Sequence, residues 1–215
     1  MLTACILDLD GVVCHTDEFH YQAWKTLCDR HGWAFDRMLN ERLRGVSRRE
    51  SLSIILKDNG LTATEADMQR MMDAKNGVYR SLLMTLTPSD LEADVVPVLQ
   101  AMRSHHVQVG LGSSSKNAPL ILQRLGITGL FDAVIDGSMI TKSKPDPEVF
   151  LTCASRLGVR PCDAIVVEDA IAGIQAAIRG GFVPVAYRLH VPSLPAGLRH
   201  AETFTDLSSV FGLGR

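Results

Sequence analysis

Two carboxylates one residue apart, Asp8 and Asp10, follow an apolar run near the start of the chain. The run, Ala4 to Leu7, predicts a buried strand. An ionised carboxylate at the end of a buried strand is costly unless a cation or hydrogen bonds compensate it. The pair therefore indicates a metal site, an acid/base pair or both, although a strand that ends in an acidic turn is the simpler alternative. A calcium loop of the EF-hand type is excluded, because such a loop needs its glycine at the sixth position, whereas Gly11 is the fourth.

Three further segments place polar side chains after predicted strands or before a predicted helix. They are Ser113, Ser114, Ser115, Lys116 and Asn117; Lys144 within the stretch 143–147; and Glu168 with Asp169. Each alone has an ordinary interpretation: a serine-rich loop or helix cap, a surface lysine, and acids at a helix N-terminus. Ligands of parallel sheets bind beyond the carboxyl ends of the strands, so the shared placement predicts one common site. Carboxylates suit Mg²⁺, and hydroxyls, a helix N-terminus and a lysine suit a phosphate, which together indicate phosphoryl transfer.

Helical and strand patterns alternate from Pro88 to Ala186, which predicts an α/β fold with a doubly wound parallel sheet, a Rossmann-like core. The preceding segment has no convincing strand, and Thr62 to Glu65 reads as a capping box at the start of a long helix. We therefore expect an α/β catalytic core of residues 1–14 and 88–215 with an inserted all-helical cap of residues 15–87. After Tyr187 the pattern is weak and predicts only a short strand near Thr203 and a final helix.

Composition narrows the classes of partner. The 215 residues carry a formal net charge of −2, which gives no electrostatic case for nucleic acid or an anionic membrane. No apolar run approaches the roughly 18 residues of a membrane span, and the N-terminus lacks a signal-peptide pattern. Five widely spaced cysteines without a CxxC pair indicate reduced thiols. We expect a cytoplasmic monomer that binds a small molecule.

The motifs resemble those of a known enzyme superfamily. Asp8-Leu9-Asp10-Gly11-Val12, Ser113, Lys144-Pro145 and Glu168-Asp169 are similar to the four ordered motifs of the haloacid dehalogenase superfamily, and the helical insertion resembles its cap. Residues 1–187 resemble its β-phosphoglucomutase group more closely, through the segments 16–20, 23–24, 43–48, 51–52, 75–76, 113–117 and 169–174.

The resemblance implies a mechanism. Asp8 would be the nucleophile that accepts the phosphoryl group, and Asp10 the general acid/base. One Mg²⁺ per chain would be bound by Asp8, the Asp10 carbonyl, Glu168 and Asp169. Ser113 and Lys144 would hold the transferring phosphate, and we expect a cis Lys144–Pro145 bond that aims the lysine inward.

The implied function is that of a Mg²⁺-dependent phosphomutase, an isomerase of carbohydrate metabolism. It would interconvert β-D-glucose 1-phosphate, or a close hexose analogue, and the 6-phosphate, with glucose 1,6-bisphosphate as intermediate and activator. The alternatives are a phosphatase of the same superfamily that acts on small sugar phosphates, and a non-catalytic phosphosugar-binding protein.

The implied substrate- and phosphate-binding residues, besides the core segment 113–117 and Lys144, lie in the cap. They are Thr16, His20, Trp24, Arg44, Gly45, Val46, Ser47, Arg48, Ser51 and Lys75. A mutase needs a second phosphate site, for which Arg48 is the candidate, since its planar fork suits phosphate; the alternative is an arginine that faces solvent. Lys75 is interpreted as facing the cleft, although it could also snorkel to water.

Three features depart from the group's usual pattern. Arg44 stands where lysine is usual, His15 replaces a frequent aspartate, and the stretch after Tyr187 lacks an expected glycine-containing turn. These departures leave the mechanism intact and the identity of the sugar open.

Overall fold

Six parallel strands form one sheet in the computed structural model of the chain, which describes residues 2–189, 191, 195 and 197–212. The order across the sheet is β3-β2-β1-β4-β5-β6, so the first strand lies in the middle. The strands are β1 (Ala4–Leu7), β2 (Gln108–Gly112), β3 (Ala133–Ile135), β4 (Ala164–Glu168), β5 (Val183–Tyr187) and β6 (Arg199–Ala201).

Helices cover both faces of this sheet because side chains alternate along each strand. Cys5 and Leu7 of β1 belong to one apolar cluster, and Ala4 and Ile6 belong to the other. The core helices are α5 (Val95–Ser104), α6 (Ala118–Leu125), α7 (Glu148–Leu157), α8 (Ile171–Arg179) and α9 (Phe204–Val210). Helices α5, α6 and α9 supply the first cluster, and α7 and α8 supply the second. The predicted α/β fold with a doubly wound parallel sheet is confirmed.

Between β1 and the next core element lie four helices with an apolar cluster of their own. They are α1 (Asp17–His31), α2 (Arg37–Glu41), α3 (Arg48–Asp58) and α4 (Glu65–Leu83). Residues 15–87, all of which the structure describes, contain no strand, as expected. Tyr79 and Leu83 of α4 join the cluster of the sheet, so the insertion and the sheet share packing at one end. The exact division at residues 14/15 and 87/88 stays a prediction.

Two boundary predictions had different outcomes. The capping box at Thr62–Glu65 is wrong: α4 begins at Glu65, and the Oγ1 of Thr64 accepts a hydrogen bond from the backbone N–H of Asp67 at 3.2 Å. The same threonine-rich run fits both registers, and the later one places the acids in the first turn, beside the positive end of the helix dipole. The predicted late strand and final helix are present as β6 and α9, while residues 190, 192–194, 196 and 213–215 lie outside the described residues.

The two chain crossings between sheet and insertion are tied together. The backbone of Cys14 forms isolated β-bridges with Asp10 and with Leu91. The backbone N–H of Glu92 donates to the carbonyl of Val13 at 3.0 Å. We call the stretches 11–16 and 88–92 the hinge. Backbone hydrogen bonds thus join the two stretches of the hinge side by side. The insertion is therefore attached to the sheet by two chain segments that are bonded to each other.

A buried carboxylate reinforces the hinge. Glu92 accepts two hydrogen bonds from Arg188, both at 2.8 Å, and its Oε2 lies 2.6 Å from the Nε2 of His15. Arg188 follows β5 with a φ of 50°, in the left-handed region that usually favours glycine. Its Nε also donates to the carbonyl of Glu202. Arg188 thus stands where a glycine turn was expected after Tyr187, and three nitrogens of its side chain donate hydrogen bonds.

Arg188→Met is expected to lower the free energy of unfolding by about 1–3 kcal/mol at pH 7, because it leaves the buried Glu92 with His15 alone. Burial raises the pKa of Glu92, but hydrogen bonds from Arg188 and His15 outweigh it and leave the pKa below its ordinary value. A lowered carboxyl pKa stabilises the fold above the unfolded-state value of about 4.3, and this stabilisation is lost as pH falls through the folded-state pKa. The difference in the free energy of unfolding between the two proteins, measured in urea, should therefore shrink below about pH 4.

The control is Arg42→Met, which breaks a half-exposed pair with Asp58 and should cost under about 1 kcal/mol. Equal losses of stability in both variants would contradict the prediction.

Candidate active site

Three carboxylates meet at the carboxyl edge of the sheet. Asp8 follows β1, Glu168 is the last residue of β4, and Asp169 comes directly after it. The two strands are paired in parallel register, with Leu7 beside Val167, so their ends lie side by side. One oxygen from each carboxylate lies within 4.8 Å of the others, and all three residues are buried.

Lys144 compensates two of these charges. Its Nζ donates to Asp8 Oδ1 and, at 2.6 Å, to Glu168 Oε1, and its side chain is fully buried. Burial would lower the pKa of Lys144, but the contacts with Asp8 and Glu168 raise it above its ordinary value. The lysine is therefore a permanent cation that points inward. The Lys144–Pro145 bond is cis, as expected.

Two glycines leave the space that the carboxylates occupy. A Cβ at Gly11, which has a φ of +87°, would lie 1.8 Å from Asp169 Oδ2. A Cβ at Gly173, in the first turn of α8, would lie 1.9 Å from Glu168 Oε1. Both distances are impossible contacts, so these positions require glycine for the acids to converge.

The cluster fits a hard divalent cation. Burial, followed by the charge of Glu168, raises the pKa of Asp169 to about 9, and burial raises the pKa of Glu168 although Lys144 opposes it. The raised pKa values show that these acids are costly as neighbouring anions, and Mg²⁺, which prefers carboxylate oxygens as ligands, would offset that cost. Asp8, Glu168 and Asp169 would hold the cation. The Asp10 side chain is not part of this group, and the role of its carbonyl as a ligand stays a prediction.

Asp10 instead faces the hinge and the helical insertion. The hydroxyl of Thr16 donates to Asp10 Oδ1, and the hydroxyl of Tyr79 donates to Thr16 at 3.3 Å. Burial and the neighbouring carboxylates of Asp8 and Asp17 raise the pKa of Asp10 well above its ordinary value. A raised pKa suits a residue that carries a proton near neutral pH.

The predicted serine loop lies beside the cluster. Ser113 is buried, and its Oγ accepts from the backbone N–H of Ser115 at 3.0 Å. The hydroxyl of Ser114 donates to the carbonyl of Gly45, in the insertion. Asn117 stands at the N-cap position of α6, but its side-chain amide donates to Asn76 Oδ1 at 2.9 Å instead of capping the helix. Arg80 of α4 also donates to Asn117 Oδ1 at 3.3 Å, so the loop contributes to the edge of the sheet and shares three hydrogen bonds with the insertion.

A cavity of about 970 Å³ opens between the sheet edge and the insertion. It is lined by all of the predicted site residues except Thr16, Lys144 and Glu168, which are fully buried. The lining residues are Asp8, Asp10, His20, Trp24, Arg44, Gly45, Val46, Ser47, Arg48, Ser51, Lys75, Ser113, Ser114, Ser115, Lys116, Asn117 and Asp169. Direct substrate contact by Thr16 is therefore corrected: its hydroxyl is committed to Asp10 beneath the cavity. Ser47 is also the N-cap of α3, since its Oγ accepts from the N–H of Glu50.

Lys75 lies in the wall of this cavity and is only 2 % exposed, so the alternative that it snorkels to water is wrong. Its Nζ lies 3.0 Å from His20 Nδ1, 5.0 Å from the ring centroid of Trp24 and 4.4 Å from that of Tyr79. Burial lowers the pKa of Lys75 to about 7, and burial together with Lys75 lowers the pKa of His20. The pair places nitrogen donors, rather than carboxylates, on the cap side of Asp10.

Two cap arginines behave differently. Arg44 donates to Asp169 Oδ2 and lies 3.2 Å from Asp17 Oδ2 and 3.4 Å from Glu41 Oε2. Arg48 lines the cavity, and in the described part of the chain it has no hydrogen-bond or ion-pair partner. Burial lowers its pKa from the ordinary value. The neighbouring Arg49 also lines the cavity, but its guanidinium is more exposed and pairs with Glu65.

Several residues of this site were missed by the sequence interpretation. Asp17, Asn76 and Tyr79 make the contacts given above, and Glu50 accepts from the hydroxyl of Ser143 at 2.9 Å across the cavity. Asn76 and Tyr79 follow Lys75 on α4 at one and four positions, so the face of that helix could have indicated both. The contacts of Asp17 and Glu50 depend on how the insertion lies over the sheet, which local patterns do not encode.

A buried acid cluster at strand ends, a serine loop, an inward lysine and a helical insertion define a phosphotransferase-type site. A profile of the haloacid dehalogenase-like hydrolases matches residues 2–181, and the chain belongs to this family of enzymes.

Particular relatives sharpen this assignment. The chain is 43 % identical over 209 residues to the β-phosphoglucomutase of Bacillus subtilis, a match that covers 96 % of this chain and 92 % of the relative. It is 31 % identical over 188 residues to the fructose-1-phosphate phosphatase YqaB of Escherichia coli, with coverage of 86 % and 95 %. The crystal structure of β-phosphoglucomutase from Clostridium difficile superposes with a TM-score of 0.89 at 33 % identity, covering 98 % of this chain and 95 % of that one. The predicted resemblance is confirmed, and the relatives support a sugar phosphate mutase or phosphatase.

Lys75→Met is expected to stabilise the protein by a few kcal/mol at pH 6, because a charged amine without a carboxylate partner is costly to bury. Below pH 7 the lysine is charged in both states and the cost is complete. Between pH 7 and about 10.4 only the unfolded chain keeps the proton, so wild-type stability rises with pH and the advantage of the variant shrinks. Urea unfolding at pH 6 and pH 9 measures this, with the exposed Lys57→Met as control, which should change stability by under about 0.5 kcal/mol. A Lys75→Met protein that is less stable than wild type at pH 6 would refute the view that this buried charged amine destabilises the fold.

Proposed function

We propose that the protein is a phosphomutase that interconverts β-D-glucose 1-phosphate, or a close hexose analogue, and its 6-phosphate. The preference for a mutase over a phosphatase rests on Arg48. Its half-buried guanidinium lies on the cap side of the cavity and has no ion-pair partner among the described residues. An unpaired guanidinium in a cavity is costly unless it meets an anion, and its fork suits phosphate. The serine loop lines the sheet side of the cavity, with Lys144 buried behind Asp8, so phosphate-binding groups stand at both ends, as a sugar bisphosphate would need.

In the proposed reaction the Asp8 carboxylate first attacks a phosphorus of the 1,6-bisphosphate, the bond to the sugar oxygen breaks as Asp10 protonates that oxygen, and an aspartyl-phosphate forms. The sugar hydroxyl then attacks that phosphorus, its proton passes to Asp10, and the bond to Asp8 breaks to release glucose 1,6-bisphosphate. The bisphosphate turns round and returns its other phosphate to Asp8, while Asp10 gives the proton back to the leaving oxygen. Asp10 is suited to this exchange by its raised pKa and its hydrogen bond from Thr16.

The chain's other groups assist by charge and position. Ser113 and Lys144 would bind the transferring phosphate, and Mg²⁺ held by Asp8, Glu168 and Asp169 would neutralise negative charge there when bound. His20, Lys75 and Trp24 would contact the sugar and link it to the hinge through Tyr79 and Thr16. Contacts across the cavity, such as Ser114 to Gly45, would keep water from the aspartyl-phosphate.

We also propose that the enzyme acts as a monomer in the cytoplasm. Cap and sheet of one chain supply the whole cavity wall, and the five cysteines are free thiols. In the described part of the chain, no helix has both the length and the apolar character that a membrane span requires.

Phosphorus NMR distinguishes the mutase from the alternatives. With Mg²⁺, β-glucose 1-phosphate and a trace of the 1,6-bisphosphate, we expect glucose 6-phosphate without free phosphate. Stoichiometric inorganic phosphate would instead assign a phosphatase, as the similarity to the fructose-1-phosphate phosphatase would suggest, and no turnover would assign a binding protein.

Asp8→Asn should abolish turnover, while Asp58→Asn, which changes an exposed cap carboxylate, should leave turnover within about twofold of wild type. Asp10→Asn should slow transfer to the sugar, and full activity in Asp8→Asn would refute the mechanism.

Arg48→Ala should lower kcat/KM for β-glucose 1-phosphate on the order of 10²-fold, the loss expected for about 2–3 kcal/mol of charge-assisted hydrogen bonds. Phosphorylation of Asp8 by acetyl phosphate, which is too small to reach the cap, should persist. The control is Arg42→Ala, a cap arginine outside the cavity wall that pairs with Asp58, and it should change kcat/KM by under about threefold. Normal isomerisation by Arg48→Ala would remove the main support for the mutase over the phosphatase.

A further inference from the structure

Arg44 is a cap residue that reaches the acid cluster of the sheet. It lies between α2 and α3, and its guanidinium donates directly to Asp169 Oδ2. Asp169 is one of the three carboxylates that converge within 4.8 Å. Of the three, Asp169 is the one that a cap residue contacts in the described chain; Asp8 and Glu168 are bridged by Lys144 of the sheet domain.

The contact is accommodated by the glycine next to the catalytic aspartates. A Cβ at Gly11 would lie 1.8 Å from Asp169 Oδ2 and 3.1 Å from Arg44 Nη2. The carboxylate and the guanidinium therefore meet in the space that this glycine leaves, and the single contacted oxygen leaves the other oxygen of Asp169 for a second partner.

The charge of Arg44 is balanced within the cap. Asp17 Oδ2 and Glu41 Oε2 lie 3.2 and 3.4 Å from its guanidinium nitrogens. Arg44 consequently docks beside the acid cluster with its own counter-charges and adds little net positive potential that would repel a divalent cation. A lysine, with a single ammonium, could not span the same three carboxylates as a planar fork does.

The segment around Arg44 is held to the sheet at neighbouring points. The carbonyl of Gly45 accepts from the Ser114 hydroxyl at 3.1 Å, and Glu50 accepts from the Ser143 hydroxyl at 2.9 Å. Arg44 thus makes the charged contact in a docked loop of residues 44–50.

We propose that Arg44 is a positioning residue of the metal site, which fixes the Asp169 carboxylate from the cap and so couples cap docking to divalent-cation binding. The inference rests on the proposed Mg²⁺ dependence. Partners that hold a ligating carboxylate typically contribute 10–100-fold to metal affinity. Because coupling is reciprocal, the cation must in turn favour the docked position of loop 44–50.

Mg²⁺ titration by isothermal calorimetry, without substrate, tests the first half. Arg44→Ala should weaken Mg²⁺ binding 10–100-fold, Arg44→Lys should recover part of the loss, and Arg42→Ala, which breaks only the pair with Asp58, should bind as wild type does. Unchanged affinity in Arg44→Ala would overturn the proposal. Tighter binding would also overturn it, since it would show that the guanidinium competes with the cation.

Hydrogen exchange tests the second half. Mg²⁺ should slow exchange of the amides of residues 44–50 in wild type and in Arg42→Ala, but not in Arg44→Ala. Equal protection in all three would contradict the coupling. If wild-type protein binds no Mg²⁺, both the proposed Mg²⁺ dependence and this inference fail. If it binds Mg²⁺ and isomerises the sugar phosphate while Arg44→Ala binds equally well, the inference about Arg44 alone fails.

Discussion

The concentration of negative charge at one edge of the sheet is the constraint on which the rest of this structure depends. Asp8, Glu168 and Asp169 cannot share a buried space as anions without cations between them. Lys144, on the sheet side, forms ion pairs with Asp8 and Glu168. Arg44, from the cap, forms an ion pair with Asp169. The fold therefore brings two distant cations to an edge that parallel strands would otherwise leave overcharged, and it leaves enough negative charge to attract a divalent ion.

The same charge balance separates the roles of the two first aspartates. Asp8 lies against Lys144 inside the cluster, whereas Asp10 is turned toward the hinge and is held by Thr16. Its pKa is raised because burial and the charge of Asp8 both disfavour its anion. The turn that ends at Gly11 thus presents the Asp8 carboxylate to a phosphate and the Asp10 carboxyl to the cap. One residue can then act as nucleophile while the other transfers a proton.

Local sequence patterns predicted the parallel sheet, the helical insertion and the polar groups at the strand ends, because strand ends and helix faces are set by short-range periodicity. Most of the cap residues in the cavity wall were expected only from the family resemblance. The N-cap of α4 was placed two residues early, since the threonine-rich run of residues 62–64 fits both registers. Thr16 was expected to contact substrate, and its burial against Asp10 follows from packing with α4 that a local motif does not show. The contacts of Arg44 with Asp169 and of Arg188 with Glu92 join residues about a hundred positions apart, beyond any local pattern.

These long-range ion pairs share a physical logic. At each position the family resemblance led to a different expectation, a lysine at position 44 and a glycine-containing turn after Tyr187. In both cases a planar guanidinium reaches a buried carboxylate that a shorter side chain or a glycine would leave to other partners. One ties the cap to the acid cluster, and the other ties the hinge to the end of β5. The positions of cap and hinge relative to the sheet are therefore set in this chain by charge pairing at two points, in addition to apolar packing along α4.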